Sequence, residues 1–341
     1  MATIQSIFYR LAKEWSRFAT VLAAAVILTG CTAGDDEPEW NGFDSDEDLV
    51  EIDVQLPDLK IEGEATRARD IQTGESTTAG SYEFGVMLIK PDSPTTGYGP
   101  YPLNMKWSCY VNSSGTVNSS QSSFIFPSGT TVSKLYMKRN DQAMLIVYWP
   151  YSSSATATSM KISNFNPLRG TPNVMCGRVV MTTNDTDETK SATVGLNSIW
   201  YRITANLIAA TNTTYRLRDF RVAYNQDNFL DAFKVPKNYT YNMAYGTLTQ
   251  SGTDTVELEW EAKTYYTSST NYVDIPTSGD GLAYSLYAPP GFFKIYDGNF
   301  EVRFSLSKSG AFKTAKYVVP KRNNASTSAG QSYTFYFKCP A

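Results

Sequence analysis

Cysteine, carboxylate and tyrosine are the reactive side chains available here, because the 341 residues include no histidine. A chain without imidazole has no Ser-His-Asp or Cys-His nucleophile, no H-E-x-x-H metal helix and no His-ligated zinc or haem. What remains is carboxylate chemistry. Asp254, Glu257, Glu259 and Glu261 lie close enough in sequence to suggest the paired acids of a glycosidase. Yet Glu257, Glu259 and Glu261 alternate with Val256, Leu258 and Trp260, the pattern of a strand with one wet and one apolar face. That alternation predicts solvated charges instead of a catalytic pair. Arg216 and Arg218 flank Leu217 in the same way, while Arg221 has the other parity, so strict alternation predicts no compact basic site. Tyr265 and Tyr266 have the faces to stack on sugar rings, and equally suit an exposed sandwich strand. No P-loop or dinucleotide fingerprint follows a strand. Neither an enzyme, nor a cofactor, nor a metal site is expected.

One cysteine stands apart from the others. Arg10, Lys13 and Arg17 precede an eleven-residue apolar run, Phe18 to Leu28. A membrane-spanning helix needs roughly 20 such residues, whereas this length suits the apolar region of a signal peptide. The run ends in Leu28-Thr29-Gly30-Cys31, which resembles the lipobox of bacterial lipoproteins. That resemblance implies a signal peptide over residues 1–30 and acyl chains on Cys31 that hold the mature chain to a membrane. From Asp35 to Asp48 eight of fourteen residues are acidic, so residues 31–49 should form an extended, self-repelling tether. Its opening, Thr32-Ala33-Gly34-Asp35-Asp36-Glu37, resembles the surface-export signal of Bacteroidetes lipoproteins, and a plain solvated linker would share its geometry. Cys109, Cys176 and Cys339 lack the pairwise spacing of a zinc ribbon. Either they are buried thiols, or Cys109 and Cys176 form the bridge that a surface location permits.

The elements that must carry these residues are strands. With 42% apolar residues the chain can fill about two ordinary cores, and a net charge of −3 gives no general footprint for nucleic acid. Val50, Ile52, Val54 and Leu56 alternate with Glu51, Asp53 and Gln55, the mark of a half-buried strand. Pro57 interrupts it, and Leu59 and Ile61 resume on the opposite parity. Tyr82–Lys90 reads as a central strand. Others are expected over 105–111, 123–126, 134–137, 143–148, 160–162 and 178–182, then over 193–209, 216–223, 239–243, 256–262, 282–287, 300–306, 315–319 and 333–337. Only Asn228–Val235 invites a short helix. The polar run Thr183–Lys190 is the natural boundary, which gives an all-β chain with β-sandwich domains over 50–185 and 191–341.

Taken together, the lipobox, the acidic tether, the first strand, Thr66-Arg67-Ala68-Arg69, and Tyr82-Glu83-Phe84-Gly85-Val86-Met87-Leu88-Ile89 resemble the fimbrillin superfamily of Bacteroidales, the type V pilins. The stretch from Val194 to Ile208 resembles a strand pair of the same family. The resemblance implies two tandem transthyretin-like sandwiches and export as an outer-membrane lipoprotein precursor. In polymerising members it also implies cleavage after an arginine, here Arg67 or Arg69. Cleavage removes the first strand and opens a groove that a neighbouring subunit fills. Two solvated loop charges would look the same in sequence. Expected partners are other fimbrial subunits, the outer membrane before processing, and a host or bacterial surface receptor.

Losing Val50, Ile52, Val54, Leu56, Leu59 and Ile61 would uncover on the order of 10 kcal/mol of burial, an upper figure because the strand is expected at a sheet edge and Pro57 interrupts it. Residues 31–341 carry 27 basic and 32 acidic side chains, and residues 70–341 carry 24 and 19, so the acidic excess lies in the part that would be discarded. The chain's other informative end is Tyr333, Phe335 and Phe337, a one-faced strand followed only by Lys338, Cys339, Pro340 and Ala341. Held in its own core, that strand suits a tip subunit that accepts a strand without giving one. Swung out, it suits a shaft. The resulting expectation is a fimbrial subunit at the cell surface, at the tip and contributing to adhesion. The alternative is a glycan-binding lipoprotein that keeps its anchor.

Overall fold

The computed structural model describes residues 43, 48–57, 79–112, 116–168, 173–224, 233–261, 271–279, 281–291, 295, 298–308, 310–322 and 332–339. The protein is all-β, and Ser45–Ala341 forms one compact unit. In its first half the strands are β1 (Leu49–Gln55), β2 (Gly80–Lys90), β3 (Ser93–Gly97), β4 (Met105–Val111), β5 (Val117–Ile125), β6 (Thr131–Val132), β7 (Leu135–Lys138), β8 (Gln142–Trp149), β9 (Met160–Ile162), β10 (Met175–Thr182), β11 (Thr189–Thr193) and β12 (Asn197–Ser198). The second half holds β13 (Tyr201–Ala209), β14 (Tyr215–Tyr224), β15 (Lys234–Pro236), β16 (Tyr239–Asn242), β17 (Thr247–Gln250), β18 (Thr255–Glu257), β19 (Glu259–Glu261), β20 (Val273–Ile275), β21 (Leu282–Ala288), β22 (Phe300–Ser307), β23 (Lys313–Val318) and β24 (Ser332–Cys339).

The first half builds one large sheet in the order β12-β10-β8-β2-β4-β5-β6, with β3 on β2, and a small sheet in the order β11-β1-β7. The second half builds the sheets β21-β13-β24 and β19-β14-β22-β23, the latter with β20 on β14. Two short ribbons, β15-β18 and β17-β16-β9, complete the set. The last of these is mixed in origin, because β9 pairs with β16 across the two halves.

Burial explains why β2 and β8 are continuous apolar runs instead of alternating ones. Phe84, Val86, Met87, Leu88 and Ile89 are all fully buried, as are Leu145, Ile146, Val147 and Tyr148. Strands covered on both faces need no polar parity. One face, with Met87, Ile89, Ile146 and Tyr148, belongs to a hydrophobic cluster that continues through Trp200, Tyr239, Trp260 and Phe300 to Cys339. The polar run at 183–190 is the tight connection from β10 to β11. The buried Thr183 hydroxyl donates to the Lys138 carbonyl at 2.6 Å, and the Asn184 amide donates to Asp187 Oδ2 at 2.9 Å. β11 then pairs with β1 and β12 with β10, so the passage to the second set of sheets falls between Ser198 and Tyr201.

Several expectations change in detail. The run 256–262 divides at Leu258, since β18 pairs with β15 while β19 pairs with β14. The helix expected over Asn228–Val235 is not found where that segment is described: residues 234–236 are β15, held by pairing with β18 and by the fully buried Val235. Residues 228–232 lie outside the described residues.

Gly85 faces the Tyr148 ring so closely that an added methyl would overlap it. The Tyr148 hydroxyl is itself fixed, donating toward Asn104 Oδ1 and the Ser152 carbonyl, both at 3.0 Å. Gly85→Ala is therefore expected to destabilise the fold by about 1–3 kcal/mol through overpacking. At Gly195 an added methyl meets nothing within 4 Å, and Gly195→Ala should change stability far less. Denaturant melts of both variants check this, and equal effects would refute the packing argument.

Candidate functional site

The first strand is the feature on which assembly chemistry would act. β1 runs antiparallel to β7, with Val50 opposite Met137 and Ile52 opposite Leu135. On its other side it runs parallel to β11, from Glu51 opposite Thr189 to Gln55 opposite Thr193. The strand is thus the middle of its sheet, which corrects the expectation of an edge; β11, returning from far along the chain, supplies the second neighbour. Its ends are also tied down. The Arg139 amide donates to the Asp48 carbonyl at 2.7 Å and the Val194 amide to the Gln55 carbonyl at 2.8 Å. Lys134 Nζ lies 3.1 Å from Glu51 Oε2.

Val50, Ile52 and Leu56 are buried, as are the flanking Leu135, Met137, Ala192 and Val194. Val54 is only half-buried, and β1 ends before Pro57. Three fully buried side chains correspond to roughly 5–9 kcal/mol of transfer free energy. Leu59 and Ile61 lie outside the described residues, as do Cys31, Arg67, Arg69, Tyr265 and Tyr266.

β24 is an edge strand of its sheet, with Tyr333 and Cys339 buried and Phe335 and Phe337 half-buried. It pairs parallel with β13 over eight positions, from Ser332 opposite Arg202 to Cys339 opposite Ala209. Its inward side chains meet aromatic partners: Tyr333 edge-on to Tyr201 at 5.7 Å, Phe335 stacked on Phe300 at 6.1 Å, and Phe337 edge-on to Phe304 at 4.6 Å. On the other parity Tyr336 is 79% exposed.

The charged side chains of β14 are arranged differently from the sequence pattern. A bulge between Leu217 and Asp219 inserts Arg218, and the parity reverses. Arg216 then aligns with Ser307, and Arg221 with Arg303, two β22 positions on one face. Arg216 and Arg221 thus share a face, with their partners four residues apart on β22. Acids interleave with them. Arg303 Nε donates to Glu301 Oε2 at 2.8 Å, and Arg218 Nε donates to Asp219 Oδ2 at 3.2 Å. Arg221 Nε lies 2.5 Å from Glu259 Oε1, a charge contact without hydrogen-bond alignment. Beside the bulge, the Arg216 guanidinium lies 4.3 Å from the Tyr272 ring centre and that of Arg218 lies 5.1 Å from Phe312. Only the paired strands reveal this cluster.

Glu257, Glu259 and Glu261 behave broadly as the wet face of a strand whose Leu258 and Trp260 are buried. They line an open cleft of about 490 Å³ with Asn164, Phe165 and Lys237. Glu259 is the exception, with its side chain 14% exposed. Burial pushes its carboxyl up to about 7; Arg221 opposes the shift, and Glu261, Asp219 and Glu257 add to it. Cys109, Cys176 and Cys339 are free and buried, and burial raises the Cys109 and Cys176 thiols to about 12. Among the described residues no group of three or more acidic or cysteine side chains is arranged to hold a metal.

No family model matches this chain, and no curated protein does. Solved structures do. One described as a "putative cell adhesion protein" from Bacteroides uniformis is 15% identical, with 87% of this chain and 94% of that chain covered and a TM-score of 0.44. Another so described, from Bacteroides ovatus, is 12% identical, with coverages of 85% and 91% and a TM-score of 0.44. A fimbrial assembly protein from Parabacteroides distasonis is 12% identical, with coverages of 84% and 90% and a TM-score of 0.38.

Glu259 makes stability pH-dependent. Because its folded pKa of about 7 exceeds the ordinary 4.5, its contribution is present below pH 4.5 and is lost as pH rises through about 7. Relative to wild type, Glu259→Gln should therefore gain stability steadily across that window. Thermal melts at its two ends measure the difference, and a constant difference would show that burial does not shift this group.

Proposed function

We propose that this chain is a structural subunit of cell-surface fimbriae, delivered as an outer-membrane lipoprotein through Cys31 and joined to its neighbours by strand exchange after cleavage at Arg67 or Arg69. The observation that carries the reading is the place of β1. It is the first strand, it lies between two strands that do not pair with each other, and it contributes Val50, Ile52 and Leu56 to the core. Its removal would leave an apolar trough lined by Leu135, Met137 and Ala192, with a row of backbone groups on each side. Such a trough is a template for an incoming strand. The segment joining β1 to β2 contains both arginines.

Within this reading the tip is the position we favour. A strand paired along β13, stacked on Phe300 and edge-on to Phe304, is poorly placed to be given to a neighbour. Two sandwich domains, an N-terminal and a C-terminal one, remain our description of the chain, with adhesion as the role of the exposed surface. A lipid-anchored glycan binder is the second reading, and it is favoured by the same strand: β1 tied at both ends suits a protein that never releases it.

N-terminal sequencing of protein extracted from intact cells separates the two. The fimbrial reading expects a start just after Arg67 or Arg69, and a start at Cys31 would overturn it. The Arg67→Ala/Arg69→Ala variant should keep its lipid and remain monomeric at the membrane. Cys31→Ala should lose palmitate labelling and surface delivery, and persistent label on that variant would refute the lipobox.

Deleting Gln331–Ala341 tests the position in the fibre. Loss of folding in the isolated subunit supports the tip. A stable monomer that no longer joins fibres would make β24 a donor and refute that assignment.

A further inference from the structure

We infer that β23 is a docking edge for an extended acidic polypeptide segment, which adds to the sheet as a further strand. β23 stands at the end of the sheet β19-β14-β22-β23, and among the described residues only β22 pairs with it. Lys313, Thr314, Ala315, Lys316 and Tyr317 are all exposed, so the strand is uncovered on both faces. Its outer side presents a row of backbone N–H and C=O groups, the template that an incoming strand needs. The two faces differ. Ala315 and Tyr317 lie opposite Phe304 and Val302, on the apolar side, and Tyr317 meets Phe337 edge-on at 5.4 Å. Tyr317 is 41% exposed and Phe337 half-buried, which leaves apolar surface uncovered beside the edge. Thr314 and Lys316 lie opposite Ser305 and Arg303, on the other face.

Charge decides which polypeptide fits. Lysine on an edge strand discourages pairing with like strands, and two copies of β23 side by side would bring four lysines together without an acid. The wider stretch has the same sign. Residues 302–341 carry seven basic side chains and no acidic one, against a net charge of −3 for the whole chain. Lys316 Nζ lies 3.9 Å from Oε1 of the buried Glu301, beyond hydrogen-bond reach, and its side chain is 64% exposed. Glu301 is held closer by Arg303, at 2.8 Å. Lys316 is thus open to a further acid. An added strand with acids opposite Lys313 and Lys316 and an apolar residue opposite Tyr317 satisfies all three positions. In this mode of recognition main-chain hydrogen bonds supply affinity, and the side chains select the partner. A sugar polyanion would meet the lysines and leave both the backbone row and the Tyr317–Phe337 surface unused.

The edge belongs to a different sheet from β1, so the purified, uncleaved chain tests it independently of the fimbrial reading. The probe is a fluorescent eight-residue peptide of threonine and valine, with two glutamates spaced as Lys313 and Lys316 are. It should bind. Peptides with lysine in place of glutamate, or with a central proline that breaks the ladder, should bind at least about tenfold more weakly. Lys313→Gln/Lys316→Gln should weaken the acidic peptide by about tenfold, the worth of two opposite-charge cross-strand pairs, with an unchanged melting temperature. Lys313→Gln alone, which leaves the Lys316–Glu301 contact in place, should lose about threefold. Lys90→Gln/Lys161→Gln, which removes two exposed cations from other strands, should change nothing. Failure of the acidic peptide to bind, equal binding of the proline peptide, or equal losses in the two double variants would overturn the inference. So would full binding to Lys313→Gln/Lys316→Gln, because the peptide would then sit elsewhere, as in exchange for β1.

Discussion

Two strands that never touch each other are held in one sheet by a third. β7 and β11 lie 51 positions apart at their closest ends, Lys138 and Thr189, and each bonds to β1. The small sheet of the first half therefore exists through β1 alone. Its side-chain row and its two hydrogen-bonded edges are one constraint, because a strand cannot keep its ladder while turning its apolar row outward. The connection at 183–190 serves the same arrangement. By holding Thr183 on the Lys138 and Asp141 carbonyls, it returns the chain to the correct end of β1 for parallel pairing.

The second organising element is the pair β2 and β8, buried on both faces. One face belongs to the cluster that runs on through Phe165, whose ring centre is 4.4 Å from that of Trp200, and through Tyr239 into the later sheets. The two halves thus share apolar contacts as well as the β9–β16 pairing. Tyr148 shares this cluster with Trp200 and Tyr239, more than fifty positions later.

How much of this could be read in the sequence depended on whether the signal was local. The alternation at Val50–Leu56 and at Tyr333–Phe337 marks strands with one apolar face, and the unbroken run at Tyr82–Lys90 marks a strand covered on both. What surrounds β1 was not readable, because its neighbours are fixed by pairings with residues far along the chain. The division at Leu258 was hidden for the same reason: Val256 and Trp260 share a parity but serve different partner strands. At Arg216–Arg221 a period-two count gave the wrong face because a single inserted residue reverses every later side chain. The arginine–aromatic corner follows from that bulge. The candidate sites at Cys31, Arg67 and Arg69 rest on sequence alone.

The parallel ladder between β13 and β24 also has a mechanical meaning. Its hydrogen bonds lie across the strand direction, and eight paired positions run side by side from Arg202 to Cys339. Tension applied along the strands, drawing the end of β24 away from the start of β13, loads the whole ladder in shear, so its bonds yield together. A sideways pull would open the same ladder one rung at a time. A body with this joint resists traction along one axis far better than across it.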